Sequence, residues 1–190
     1  MARAGASVAH CPNIFARRGI ILQHFGKYRA RGINIGLGTD TFPHNFIDEM
    51  RWATVLCKVS SANVEGTSLA EVFHAATVGG AKALHRDDIG RLAPGMKADL
   101  SLVDLAHPAM QPLRDPLKSL VFSALERPIT HVFVDGRQLV ADGKVLTVDL
   151  EAVTEALNRG QRQALARAPE NDYAKRPLEE IFPLTLALGG

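Results

Sequence analysis

The sequence predicts an α/β fold with a parallel sheet, followed by a small antiparallel β module. Three observations carry this. Two short apolar runs, Ala6-Ser7-Val8-Ala9-His10 and Ile33-Asn34-Ile35-Gly36-Leu37, flank a stretch with helical spacing, and a β-α-β order favours parallel pairing. Further along, Asp135-Gly136 and Asp142-Gly143 stand between apolar runs as hairpin-turn dipeptides. The composition, 46% hydrophobic and 22% charged over 190 residues, is that of an ordinary globular chain long enough for one or two domains.

The first run is stopped by Cys11-Pro12 and reads as a buried strand. A helix is expected over 19–31, with Ile21, Leu22, Phe25 and Tyr28 on one face and Gly32 as its stop. The strand 33–37 follows, then a loop over 41–45 and a helix over 47–59 with Cys57 on its apolar side. Ser68 with Glu71 three residues on forms a capping box. It starts a helix that turns Leu69, Val72, Phe73 and Ala76 inward, and Gly79-Gly80 is expected to interrupt it before a short segment 81–84. From Ile89 a turn-rich passage leads into a strand over 100–105. A loop with Pro108, Pro112 and Pro116 comes next, then strands over 131–134, 138–141 and 144–148. Residues 151–166 are helical in pattern, and the chain beyond 168 is expected to drape loosely. The organisation expected is 1–88, 89–150 and 151–190.

A net charge of +2 gives no reason to expect nucleic acid or an anionic membrane as partner. The densest basic stretch, from Arg17-Arg18 through Lys27, Arg29 and Arg31, fits a solvated helix face. No run reaches the roughly 18 apolar residues of a membrane span, and Met1-Ala2-Arg3-Ala4-Gly5 lacks the apolar core of a signal peptide. Two cysteines make neither a disulfide framework nor a zinc knuckle, so reduced thiols and a cytoplasmic location are the simplest expectation. Gly36-x-Gly38 and Gly79-Gly80 do not form a phosphate-binding pattern, which excludes a nucleotide-binding or redox α/β domain.

Gly36-Leu37-Gly38-Thr39-Asp40 closes the second strand and leaves a carboxylate at its C-terminal end. In parallel α/β enzymes those strand ends hold the chemistry. Asp40 there can bind a metal, take a proton from metal-bound water, or do both; it can equally be a helix N-cap or turn aspartate. His10 ends the neighbouring strand and can face the same mouth or be a hydrogen-bonded structural histidine. His44 lies in the loop after Asp40, where it can line a pocket or simply be exposed. Cys11 can be a metal ligand or nucleophile, but with no basic neighbour it reads rather as a buried structural thiol, and Cys57 reads as core. Glu49 and Arg51 read as an ion pair supporting the loop. Trp52, Phe73 and Phe133 read as core or interface aromatics, and His74 and His131 as structural.

Several pieces taken in order resemble the C-terminal part of the amidohydrolase superfamily, above all its cytosine deaminase, guanine deaminase and triazine chlorohydrolase branch. They are Val8-Ala9-His10-Cys11-Pro12, Gly36-Leu37-Gly38-Thr39-Asp40, Glu49-Met50-Arg51, Ala76-Thr77 with Gly80-Ala81, Ile89-Gly90, Pro94-Gly95, Ala98-Asp99-Leu100, Val134-Asp135-Gly136 and Asp142-Gly143. The resemblance implies the last two βα units of a metal-dependent (β/α)8 barrel plus part of a small antiparallel β-sandwich. It implies a hydrolase of non-peptide carbon–nitrogen bonds, of the deaminase, amidohydrolase or chlorohydrolase type, acting on small heterocyclic or amide substrates. In that setting Asp40 binds one divalent metal, zinc or iron, and shuttles the proton of the attacking water, with His10 and His44 as substrate contacts. The parent enzymes commonly form homo-oligomers. The family branch often follows His-x-Pro with a small residue and Ser-Asn; Asn13-Ile14-Phe15 stands here instead and argues for a more apolar pocket wall.

The resemblance also marks what is missing. A full barrel takes about 250 residues and eight strands, and no two of the seven histidines are two apart, so the family's first-strand His-x-His is absent. The chain thus reads as a fragment without the N-terminal metal-binding histidines, and its barrel part is expected to be marginal or sticky alone. The alternative expectation is a catalytically inactive remnant or accessory domain that only associates with another chain.

Overall fold

The computed structural model describes residues 1–21 and 25–186. They separate into two compact units, Met1–Lys144 and Val145–Gly190. In the first unit a single turn at Ala2–Ala4 leads into β1 (Ser7–His10), and α1 (Pro12–Arg17) follows at once. Pro12 at the first helical position suits this abrupt start, because proline has no N–H to leave unpaired there. The sequence gives no apolar period over so short a helix, and α1 was not expected. The helix expected over 19–31 is α2 (Phe25–Ala30) among the described residues. Leu22 lies outside them, and Ile21 is exposed. Phe25 is fully buried, and Gly32, at φ 70°, turns the chain into β2 (Asn34–Leu37).

β1 and β2 pair in parallel, His10 opposite Leu37. Asn34 ties them together, its Nδ2 donating to Ser7 Oγ at 2.9 Å and to the Gly79 carbonyl at 3.0 Å. After the Asp40 loop comes α3 (Phe46–Ser61), capped by the Asn45 side chain, which accepts from the Asp48 N–H. The expected capping box is present at the start of α4 (Leu69–His74), with the Ser68 side chain and Glu71 satisfying each other's backbone N–H. Phe73 is a correction: it is exposed, and Leu69, Val72 and Ala75 make the buried stripe. The glycine pair is another. A π-helical turn at Ala75–Gly79 runs directly into α5 (Gly80–Ala83) without a break. A Cβ on Gly79 would overlap the Ile35 carbonyl oxygen, so glycine lets this helix lie backbone to backbone on β2. Phe25, Ile35, Leu37, Met50, Ala53, Cys57, Leu69, Val72 and Ala75 form the core there, and Val121 from a later segment completes it.

The antiparallel module holds β3 (Leu100–Val103), β4 (Ile129–Val134), β5 (Arg137–Ala141) and β6 (Lys144–Val145) in sequence order. Asp135-Gly136 and Asp142-Gly143 all have positive φ, as tight hairpin turns require. The stretch with three prolines is more ordered than expected. It contains a 3-10 turn (Pro108–Met110), α6 (Pro116–Ser119) and a π-helical turn (Leu120–Ala124), with Met110 and Val121 fully buried. Phe133 and Trp52 are half-buried. His131 is half-buried with its Nδ1 buried and without a hydrogen-bond partner, whereas His74 is exposed.

In the second unit the expected helix is longer than its apolar pattern. α7 (Leu150–Asn171) is capped by Asp149 and passes through Pro169. The segment beyond it adds α8 (Leu178–Ile181). No described helix is long and apolar enough to cross a membrane.

Candidate active site at the ends of β1 and β2

The two parallel strands stop side by side, and the Gly38 N–H donates to the His10 carbonyl at 3.0 Å to extend the ladder past β2. Gly38 passes close to Cys11: a Cβ there would stand 3.2 Å from its Sγ. Asp40 follows, exposed and with φ 59°. That left-handed conformation is open to Asp at modest cost and turns the chain sharply off the strand. The loop is braced from two sides. Thr39 Oγ1 lies 3.1 Å from His44 Nδ1 across it. Arg17 of α1 donates to the Phe42 carbonyl at 2.8 Å and stacks its guanidinium 4.7 Å over the Phe42 ring. Both Phe42 and His44 are exposed.

His10 sits differently from His44. It is 3% exposed, with its ring 5.6 Å from that of Phe25. Burial pushes its pKa down to about 4, so the imidazole is neutral at ordinary pH. Cys11 is partly exposed rather than buried as expected; burial, then the Asp40 and Glu49 carboxylates, push its thiol up, which disfavours the thiolate. Cys57 is buried in the core.

Glu49 is the residue sequence reasoning misassigned. It makes no pair with Arg51, whose Nε donates to the Val121 carbonyl at 3.1 Å and whose guanidinium approaches Asp48 at 3.6 Å. Glu49 is instead 1% exposed, and its Oε2 accepts the Asn13 N–H at 3.1 Å. Burial pushes its pKa up to about 7, opposed by that hydrogen bond and reinforced by Asp48. A signal was present: Glu49, Met50, Ala53, Thr54 and Cys57 share one helical face, so a carboxylate stands in the buried stripe of α3.

The structure thus brings Asp40, His44 and Thr39 into one exposed loop, with Cys11 and the buried His10 behind it. Among the described residues no three His, Cys, Asp or Glu side chains gather to hold a metal ion. A catalytic zinc takes three protein ligands, so these residues do not by themselves make a metal centre; Asp40 offers one exposed oxygen donor.

The amidohydrolase family profile matches residues 1–139. The chain belongs to the amidohydrolase family. It is 35% identical over 159 residues to a 5-methylthioadenosine/S-adenosylhomocysteine deaminase of Pyrococcus horikoshii, covering 82% of this chain and 38% of that protein. It is 36% identical over 145 residues to a 5'-deoxyadenosine deaminase of Methanosarcina mazei, covering 74% and 33%. Among solved structures, an adenosine deaminase from Xanthomonas campestris with bound zinc superposes with a TM-score of 0.78 at 28% identity, covering 85% of this chain and 38% of that one. An atrazine chlorohydrolase from Arthrobacter aurescens complexed with zinc gives 0.75 at 27%, covering 83% and 36%. The amidohydrolase chain therefore spans well under half the length of these relatives, and the deaminase and chlorohydrolase relatives expected from the sequence are both among them.

Proposed function

We propose that this chain is the C-terminal part of a metal-dependent hydrolase of non-peptide carbon–nitrogen bonds in small nitrogen heterocycles, with deamination the favoured reaction. Its two βα units would be the last two of a (β/α)8 barrel, and its antiparallel module part of the accompanying β-sandwich. Asp40 is the carboxylate it contributes to a divalent-metal site, zinc or iron. His44 is an exposed loop contact for the substrate. His10 is a neutral imidazole behind the strand ends, where it can accept or donate one hydrogen bond without carrying charge. The partner is a small molecule, and the whole enzyme is a homo-oligomer. The observation that carries this reading is the exposed Asp40 in a left-handed turn directly after the second of two parallel strands. The deaminase names of the curated relatives support the choice of reaction.

A second reading, a folded piece that carries no metal chemistry, is favoured by the lack of a three-donor cluster among the described residues. Metal content separates the two. The chain and its Asp40→Ala variant are purified with zinc or iron supplied and analysed by elemental mass spectrometry. Near-stoichiometric metal in the chain that is lost in the variant supports the hydrolase reading for this polypeptide; equal, trace metal in both supports the second for this polypeptide by itself and assigns any metal chemistry to a site completed by further residues.

A further inference from the structure

We propose that Glu49 is a positioning residue, a buried tether that fixes the segment after β1 against α3 and so sets where the end of β1 stands relative to Asp40. The proposal rests on the reading of Asp40 for its place in a reaction but not for its test. A carboxylate buried with no cation is costly unless hydrogen bonds compensate, and a Met or Leu would fill the same space in an apolar helix face at less cost. What an apolar residue cannot do is accept the Asn13 N–H. Asn13 is the second residue of α1 and is 7% exposed, so its N–H has neither an intrahelical partner nor free access to water. That segment leans on both strand ends. The His10 carbonyl accepts the Gly38 N–H to close the ladder, and Cys11 Sγ lies close to Gly38, 3.2 Å from where a Cβ on it would stand. One hydrogen bond from α3, the helix that follows the Asp40 loop, therefore holds the corner that both strand ends share. A carboxyl can make it whether or not it carries a proton, because a carbonyl oxygen remains to accept.

The two cysteines give a direct readout. Cys11 is partly exposed beside the tether, and Cys57 is buried in the core. Thiol-labelling rates at each, read by peptide mass spectrometry, are compared in Glu49→Gln, which keeps an acceptor, and Glu49→Met, which keeps the unbranched chain length and loses it. Both variants remove the same charge from beside Cys11. An orphaned buried N–H opens its surroundings locally, so Cys11 should label about tenfold faster in Glu49→Met than in Glu49→Gln, with Cys57 unchanged. Equal Cys11 rates in the two variants overturn the tether. So does a Cys57 rate that rises in Glu49→Met by the same factor as Cys11, because that marks general support of the core. Neither outcome depends on metal, so the tether and the hydrolase reading stand or fall separately.

Discussion

Burial pushes His10 and Glu49 toward neutrality from opposite sides, which gives the chain an unusual response to acid. Glu49 titrates near 4.5 when unfolded and about 7 when folded. Between these values the folded chain holds the extra proton, so this contribution to stability falls as pH rises. His10 titrates near 6.5 unfolded and about 4 folded. There the unfolded chain holds the extra proton, so this contribution falls as pH drops from 6.5 toward 4. Across pH 4.5 to 6.5 the two slopes oppose, each at most about 1.4 kcal/mol per pH unit. Glu49→Gln should uncover the His10 term and lose melting temperature on acidification faster than the parent chain. His10→Gln should uncover the Glu49 term and melt lower as pH rises over the same window. Parallel profiles for the two variants in thermal melts would refute the opposition. Residues of this kind were only half legible in the sequence. Asp40 stood out as a candidate, because a carboxylate after Gly-x-Gly-Thr at a strand end is a local pattern. Glu49 did not, because its partner is a backbone N–H 36 positions away.

The α4-to-α5 helix shows what local patterns give and withhold. Its start was readable because the capping box lies within four consecutive residues, Ser68 to Glu71. Its continuity was not, since a glycine pair signals a break as readily as a close approach, and only the contact with β2 decides. That contact discriminates between the two glycines. A Cβ on Gly79 meets the Ile35 carbonyl, whereas one on Gly80 finds nothing nearer than 3.8 Å. Gly79→Ala should cost about 2–4 kcal/mol in denaturant unfolding, as overpacking against rigid backbone does. Gly80→Ala should be neutral or stabilise by up to about 1 kcal/mol, the helix preference of alanine. Similar losses for both would mean that the helix does not lie on β2 in this way. Phe73 was misplaced because the buried stripe is narrow: Leu69, Val72 and Ala75 stand three apart, and Phe73 falls about 100° round the helix from its centre.

At the scale of the whole chain, order along the sequence and order in space diverge. Val121 is fully buried in the core of the βα part, with Leu117 packed beside it, and Arg51 of α3 donates to the Val121 carbonyl. The core beneath β1 and β2 is thus finished by a segment that lies beyond the turn-rich passage and β3. Tryptic cleavage at the exposed Arg91 should therefore leave the two products together on gel filtration until denaturant is added; separation without it would show that the Val121 contact contributes little. The fold class and the resemblance were legible because strand ends and hairpin turns are local and come in order. The return of Val121 was hidden in a proline-rich stretch that reads as loop. The left-handed turn at Asp40 decides which substitutions its loop accepts. That backbone suits Gly best and tolerates Asn and Asp, while other residues pay on the order of 1–2 kcal/mol. Among those three only Asp is an anion. Asp40→Gly or Asp40→Asn would therefore take the anion away and leave the loop's backbone undisturbed, whereas Asp40→Ala would strain the turn as well.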